Sequence, residues 1–167
     1  VVSKLEVVGP AKRGQSGTTV RFWPDPGFFD SPGFSVPRLK HMLKAKAVLC
    51  PGLRVRLRVE ATGETDEWFF TGNLGEYLIE QLGSDARLPD EPFTGHFKGG
   101  HEVADWAFCW APERDESIAE SYVNLIPTPQ GGTHVNGLRA GATDAVREFC
   151  EFRNLVPRGL KLAPEDV

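Results

Sequence analysis

The sequence contains no apolar run approaching the roughly 20 residues that a membrane-crossing helix needs, so no helical membrane span is expected. It carries no secretory signal pattern. Cysteine is scarce: Cys50, Cys109 and Cys150 are an odd number, stand far apart and form no CxxC pair. Neither a disulfide framework nor a zinc site is suggested, and a reducing cytoplasm fits best. There is no surplus of positive charge either. Lys and Arg number 19 against 23 Asp and Glu, for a formal net charge of -4. Any nucleic-acid contact must therefore come from a local patch. Internal repeats and low-complexity segments are missing. So is a phosphate-binding Walker pattern, because Gly131-Gly132-Thr133 is not followed by Lys and Ser or Thr. His96, His101, Glu102 and Cys109 match no standard metal spacing, and strand alternation would turn several of them to opposite faces. No nucleophile stands beside a base. No catalytic residue, no metal ligand and no cofactor-binding residue is therefore expected in this chain.

The 167 residues, 40% of them hydrophobic, suit one globular domain with a single core. Residues 1–8 could form a first strand, and Thr18 to Trp23, rich in β-branched and aromatic residues, reads as a second. A Pro- and Gly-rich loop follows, in which Phe28, Phe29 and Phe34 are expected to pin the chain to the core. Ser35 is a plausible N-cap for a helix to Leu49, with Val36, Leu39, Leu43 and Ala47 as its buried stripe. Leu53 to Val59 alternates apolar and basic residues, as a half-buried strand does. Its hairpin partner is expected over Trp68 to Thr71. The spacing predicts a short helix over Leu74 to Leu82, a loop from Gly83 to Glu91, and strands over Phe93 to Phe97, Val103 to Trp110 and Ser121 to Ile126. A long helix is expected over Thr133 to Asn154. Thr133 would be its cap, Val135, Leu138, Ala142, Ala145, Phe149 and Phe152 its inward stripe, and Arg139 and Thr143 would face outward. This order of elements implies an α+β fold, a mixed β-sheet with helices packed on one face. Pro164, Glu165 and Asp166 read as the first turn of a further helix, so the chain reads as a piece cut from a longer protein.

The clearest local signal is electrostatic. Between Ser31 and Val59 every Lys, Arg, Asp or Glu is basic: Arg38, Lys40, Lys44, Lys46, Arg54, Arg56 and Arg58. Arg54, Arg56 and Arg58 share one strand face at steps of about 7 Å, close to a single-strand phosphate spacing. The plainer alternative is a solvated face balanced by acids elsewhere in the fold. Arg139 and Arg147 lie on the polar side of the last helix, about 12 Å apart along its axis. Arg147 has Asp144 and Glu151 within pairing distance on the same helix, which explains it without DNA. Trp68, Trp106 and Trp110 suit a core better than a base-stacking platform.

The run Ser121-Tyr122-Val123-Asn124-Leu125-Ile126-Pro127-Thr128-Pro129-Gln130-Gly131-Gly132-Thr133-His134-Val135-Asn136-Gly137-Leu138-Arg139 resembles the transducer-domain signature of the ATPase subunit of bacterial type IIA DNA topoisomerases. Gly17 to Asp25, Leu43 to Gly52 and Arg147 to Asp166 are similar to the same family. Asn124-Leu125-Ile126-Pro127 resembles the form found in topoisomerase IV B-subunits more than that of gyrase B-subunits. The resemblance spans nearly the whole chain.

That resemblance implies a single transducer domain over residues 1–167, truncated at its C-terminal helix, with a fold resembling the second domain of small ribosomal protein-like transducer folds. The implied role is to relay ATP-driven dimer closure to DNA strand passage and decatenation, and to line the cavity for the transported DNA segment. Arg139 resembles a family arginine in that cavity. The ATP-binding and toprim domains, and a lysine that reaches the ATP γ-phosphate from a Gln-Thr-Lys loop, are implied to lie outside this chain. ATP and magnesium then belong to the full-length protein, and the chain alone is expected to be inactive. Implied partners are DNA, the neighbouring ATP-binding domain, the topoisomerase IV A-subunit and a second copy of the B-subunit, in a cytoplasmic, nucleoid-associated setting. The alternatives are the equivalent domain of a gyrase B-subunit, or a basic nucleic-acid-binding module with no motor role.

Overall fold

The computed structural model describes residues 3–157, 159, 162 and 163. The expected helix start at Pro164 to Asp166 and the first two residues of the expected opening strand lie outside the described residues. The chain divides into two compact units, Val1–Leu39 and Lys40–Val167.

In the first unit the backbone is irregular up to the start of α1 (Val36–Leu49). Neither residues 3–8 nor Thr18 to Trp23 form a strand. A strand needs a ladder partner, and no partner exists among the described residues. Local contacts organise the segment instead. The Phe28 N–H donates to the Asp25 carbonyl at 3.0 Å, and the Gly27 N–H donates to Asp25 Oδ1 at 2.8 Å. Phe22 and Phe34 meet edge to face at 5.1 Å. Phe28, Phe29 and Phe34 are all exposed, so they do not pin the loop to a core as expected.

Helix α1 begins where the sequence placed it. The Ser35 carbonyl accepts the Leu39 N–H at 3.0 Å, and Pro37 sits in the first turn, where no intrahelical donor is required. Its buried residues are Ala45, Ala47 and Val48, so the inward face centres on small side chains, with Val36, Leu39 and Leu43 half-buried. Gly52, at φ +87°, turns the chain into β1 (Arg54–Arg58), a conformation glycine adopts without a Cβ penalty. β1 pairs antiparallel with β2 (Thr65–Phe69) in the register Arg54↔Phe69, Arg56↔Glu67, Arg58↔Thr65. The alternation read from the sequence is present, with the arginines exposed and Val55 and Leu57 half-buried. The partner strand lies earlier than expected, because pairing extends back toward the turn at Gly63.

Helix α2 (Leu74–Leu82) has the bounds that the periodicity predicts. Asn73 caps it, its side chain accepting the Glu76 N–H at 3.1 Å. A Cβ on Gly75 would come within 2.9 Å of Thr94 Cγ2, so this glycine lets the helix lie close on the next ladder. That ladder pairs β3 (Leu88–Lys98) with β4 (Val103–Trp110), with a register shift between Leu88 and Phe93. The expected loop to Glu91 is thus partly strand. Pro89 and Pro92, which cannot donate to a ladder, fall within the shift. Phe93, Phe108 and Trp110 form an aromatic cluster with centroids 5.3 to 6.0 Å apart. α2 packs against both strands, and Leu82 is among the buried residues.

The expected strand over Ser121 to Ile126 is a tight hairpin, β5 (Tyr122–Val123) and β6 (Ile126–Pro127). Asn124 at φ +49° and Leu125 at φ +67° turn its tip. Helix α3 (Thr133–Phe152) follows. Thr133 is its first residue rather than its cap. Gly132 holds the cap position at φ +155° and supplies no side-chain hydrogen bond. The inward face also differs from the expectation. Thr143 is 2% exposed, its hydroxyl donating to the Arg139 carbonyl at 2.8 Å, whereas Phe149 and Phe152 are 55% and 80% exposed. On the same side of the helix as Thr143, Arg147 Nη2 donates to the Leu162 carbonyl at 2.8 Å. The fold is α+β, as the sequence implies. Among the described residues its strands form three separate two-stranded antiparallel ladders in place of one mixed sheet.

Candidate nucleic-acid interface

The basic residues singled out by the sequence lie on three elements, and most carry a partner. On the β1–β2 face, Glu67 stands opposite Arg56 and receives both neighbours. Arg56 Nε and Nη2 donate to Glu67 Oε2 at 2.9 and 2.5 Å, and Arg54 Nη1 donates to Oε1. The Arg54 guanidinium also lies 4.9 Å from the Phe69 ring centroid, directly across the ladder. The two guanidinium groups, Arg56 foremost, hold the Glu67 carboxyl below the usual carboxylate range. Arg58, opposite Thr65, is exposed and has no ion-pair partner among the described residues. The arginine row therefore presents one unmatched cation, not three.

Helix α1 shows the same compensation. Lys44 reaches Glu80 of α2 at 2.7 Å and lies 5.7 Å from the Tyr77 ring centroid. Lys40 pairs with Glu64 at 2.5 Å and with Asp66 at 3.1 Å, contacts that raise its pKa, Glu64 foremost. Asp66 Oδ2 is buried, and the Lys40 ammonium 3.1 Å away compensates its charge. Lys46 donates to the Leu125 carbonyl at the hairpin tip. Arg38 is exposed on the first turns of α1.

On α3 the two candidates part. Arg147 pairs with Asp144 at 2.7 Å and with the Leu162 carbonyl, which occupies its donors locally. Arg139 is exposed, and its guanidinium has no partner among the described residues. Of the seven candidates, Arg38, Arg58 and Arg139 keep their charged groups available to a phosphate.

The start of α3 is ordered by its own hairpin. The Thr128 N–H donates to the Ser121 carbonyl at 2.8 Å, Ser121 Oγ bonds the Thr128 carbonyl at 2.9 Å, and the Gly131 N–H donates to the Thr128 carbonyl at 2.8 Å. Thr128 Oγ1 lies 3.4 Å from His134 Nε2. These bonds give the Gly-Gly-Thr-His run a structural role. No group of His, Cys, Asp and Glu suited to a metal occurs among the described residues. His96 is instead bonded across the ladder to Asp105 at 2.7 Å. Burial pushes the Cys109 thiol up, away from the thiolate a nucleophile needs. No helix among the described residues is long and apolar enough to cross a membrane.

One polar cluster escaped the sequence reading. Glu120 accepts from Tyr122 Oη at 2.8 Å and from Tyr77 Oη at 3.3 Å, and His41 Nε2 lies 3.4 Å away. Burial, followed by the Glu120 carboxylate, pushes both tyrosine hydroxyls up from their ordinary pKa. The signal available in the sequence was Tyr122 itself, one of only two tyrosines, two residues after a glutamate.

The family model for DNA gyrase B matches residues 73–167. The chain is 62% identical over 165 residues to the B-subunit of DNA topoisomerase 4 from Pseudomonas aeruginosa, covering 99% of this chain and 26% of that protein. Identity to the protein of the same name from Escherichia coli is 54% over 166 residues, again 99% of this chain and 26% of that protein. The chain thus spans about a quarter of the length of the curated relatives it matches. Among solved structures, the topoisomerase IV ATP binding domain of Francisella tularensis, in complex with a small-molecule inhibitor, matches 87% of this chain and 38% of its own. The TM-score is 0.69 at 40% identity. The B-subunit of DNA gyrase from Myxococcus xanthus gives a TM-score of 0.69 at 26% identity, over 77% of this chain and 36% of that one. With more than half its residues matched by the family model and its fold shared with these structures, the chain belongs to the DNA gyrase B family.

Proposed function

We infer that this chain is the transducer portion of a topoisomerase IV B-subunit, the ATP-hydrolysing component of a type IIA DNA topoisomerase. It relays ATP-driven dimer closure to DNA strand passage and decatenation. The observation that carries the reading is the 62% identity to a DNA topoisomerase 4 B-subunit across 99% of the chain. The topoisomerase IV reading is preferred to gyrase because identity to DNA topoisomerase 4 B-subunits reaches 62%, against 26% to the B-subunit of the Myxococcus xanthus gyrase. In the full-length protein the partners are DNA, the ATP-binding domain, a second copy and the topoisomerase IV A-subunit, in the cytoplasm at the nucleoid. ATP and magnesium act there, outside this chain.

Arg139 is the residue proposed to meet passing phosphates, without reading bases. The test is ATP turnover by the full-length protein carrying Arg139→Gln, assembled with the topoisomerase IV A-subunit, with and without DNA. Stimulation by DNA falls, while affinity for a non-hydrolysable ATP analogue stays at the unaltered value. Full DNA stimulation in a well-folded Arg139→Gln protein would return Arg139 to the status of an ordinary surface arginine.

A further inference from the structure

The hairpin that leads into α3 is tied to the two preceding helices by polar groups converging on one carboxylate. Glu120 stands immediately before the hairpin, its side chain 24% exposed. Tyr122, on β5, donates to Oε2 at 2.8 Å. Tyr77, on α2, lies 3.3 Å from the same oxygen. His41, on α1, lies 3.4 Å from Oε1. Lys46, one and a half turns further along α1, holds the Leu125 carbonyl at the hairpin tip. The tip itself is in an uncommon conformation. Leu125 is a bulky residue at φ +67°, a region that side chains of its kind rarely occupy. Such a conformation persists only where surrounding contacts hold it.

We propose that Glu120 is a clasp joining α1, α2 and the β5–β6 hairpin, so that a displacement of either helix is delivered to the hairpin and through Gly131-Gly132 to the start of α3. The clasp carries the load because few apolar contacts do. Val123, Leu125 and Ile126 are all exposed, at 47%, 40% and 66%, so burial contributes little to holding the hairpin down. Two hydroxyl donors sharing one ionised acceptor make charge-assisted bonds, which are stronger than neutral ones. Opening the clasp frees the hairpin while α2 and the β3–β4 ladder, held by Leu82 and the Phe93–Phe108–Trp110 cluster, stay folded. The clasp is independent of the transducer reading, since its test uses the 167-residue chain without ATP or DNA.

The experiment is hydrogen exchange by mass spectrometry on the chain and on Glu120→Gln, Tyr122→Phe and Tyr77→Phe. The phenylalanine variants keep the ring, and they keep the test open if Glu120→Gln folds poorly. Residues 121–132 are expected to exchange about tenfold faster in Glu120→Gln and Tyr122→Phe, the scale of one lost charge-assisted bond. Residues 88–110 exchange at the unaltered rate. Tyrosinate absorbance supplies a second readout, since the chain has only two tyrosines and both face Glu120. The other charged groups near Tyr77 are Glu80 and Lys44. Glu120→Gln moves the alkaline titration of both tyrosines to lower pH together. Unchanged exchange over 121–132 in all three variants would overturn the clasp. So would equal loss of protection over 88–110, or a tyrosine titration indifferent to Glu120→Gln.

Discussion

Leu82→Ala and Phe152→Ala separate the core the chain has from the core its periodicity suggests. Leu82 closes α2 at 5% exposure. Removing a buried leucine costs roughly 2–5 kcal/mol, the value growing with the void left behind. Leu82 also lines an open cleft of about 410 Å³ with Leu78, Trp110 and Ile118. Truncation there enlarges a space that water reaches, so the cost falls in the lower half of that range, about 2–3 kcal/mol. Phe152 belongs to the stripe expected to face inward, yet it is 80% exposed. Full burial of a phenylalanine is worth up to about 3 kcal/mol, so a one-fifth-buried ring holds about 0.6 kcal/mol. The Arg153 guanidinium, 6.0 Å from its centroid, adds roughly 0.5 kcal/mol for an exposed cation–π contact. Phe152→Ala therefore costs about 1 kcal/mol, about half the effect of Leu82→Ala or less. Urea unfolding of the 167-residue chain, followed by far-ultraviolet circular dichroism, measures both through the shift in midpoint at constant slope. A larger loss for Phe152→Ala than for Leu82→Ala would refute this account of where the core lies.

Glu67→Gln releases Arg54 and Arg56 from their shared acceptor. If the β1 face meets DNA, anisotropy of a labelled duplex shows tighter binding and a steeper salt dependence than for the unaltered chain; no change assigns the row to solvation. The same carboxylate sets an acid limit. Its pKa is lowered in the fold, so its stabilising effect is present above the unfolded value near 4.3 and is lost as pH falls through the folded one. At the alkaline end the signs reverse. Tyr77 and Tyr122 have raised pKa values, so their contribution is intact below the unfolded value of about 10 and is lost as pH rises through the folded one. A urea midpoint that falls at pH 11 in the unaltered chain, and falls less in a Tyr77→Phe, Tyr122→Phe double variant, is the expected pattern; equal loss in both would remove the tyrosines as its cause.

Local signals were legible where the element is decided locally. The alternation from Arg54 to Arg58, the bounds of α2 and the bounds of β4 all follow from neighbours in sequence. Long-range choices were not. Thr18 to Trp23 has the composition of a strand, but composition supplies no partner. The α3 stripe located an apolar face, whereas the inward side of a helix is set by what packs against it, which periodicity alone does not carry. The basic run from Arg38 to Arg58 was visible as charge. That Glu64, Asp66, Glu67 and Glu80 fold back onto it depends on the β1–β2 register and the placing of α2. The Glu120 cluster draws on positions 41, 77, 120 and 122, too far apart for any periodicity to join.

Three ladders of two strands each leave every strand with one open edge among the described residues. Unpaired backbone donors and acceptors along such an edge are templates for another chain, and proteins guard them with charge and proline. Here β1 carries Arg54, Arg56 and Arg58, β2 carries Asp66 and Glu67, and β3 carries Pro89, Asp90, Glu91, Pro92 and Lys98. The remaining long strand, β4, has Asp105 as its only charge, in a run of Val103, Ala104, Trp106, Ala107, Phe108, Cys109 and Trp110. Colloidal behaviour is thus concentrated at one address. As the chain is concentrated or warmed, strand addition along β4 is the route to self-association, and a single lysine on that edge is the economical way to block it.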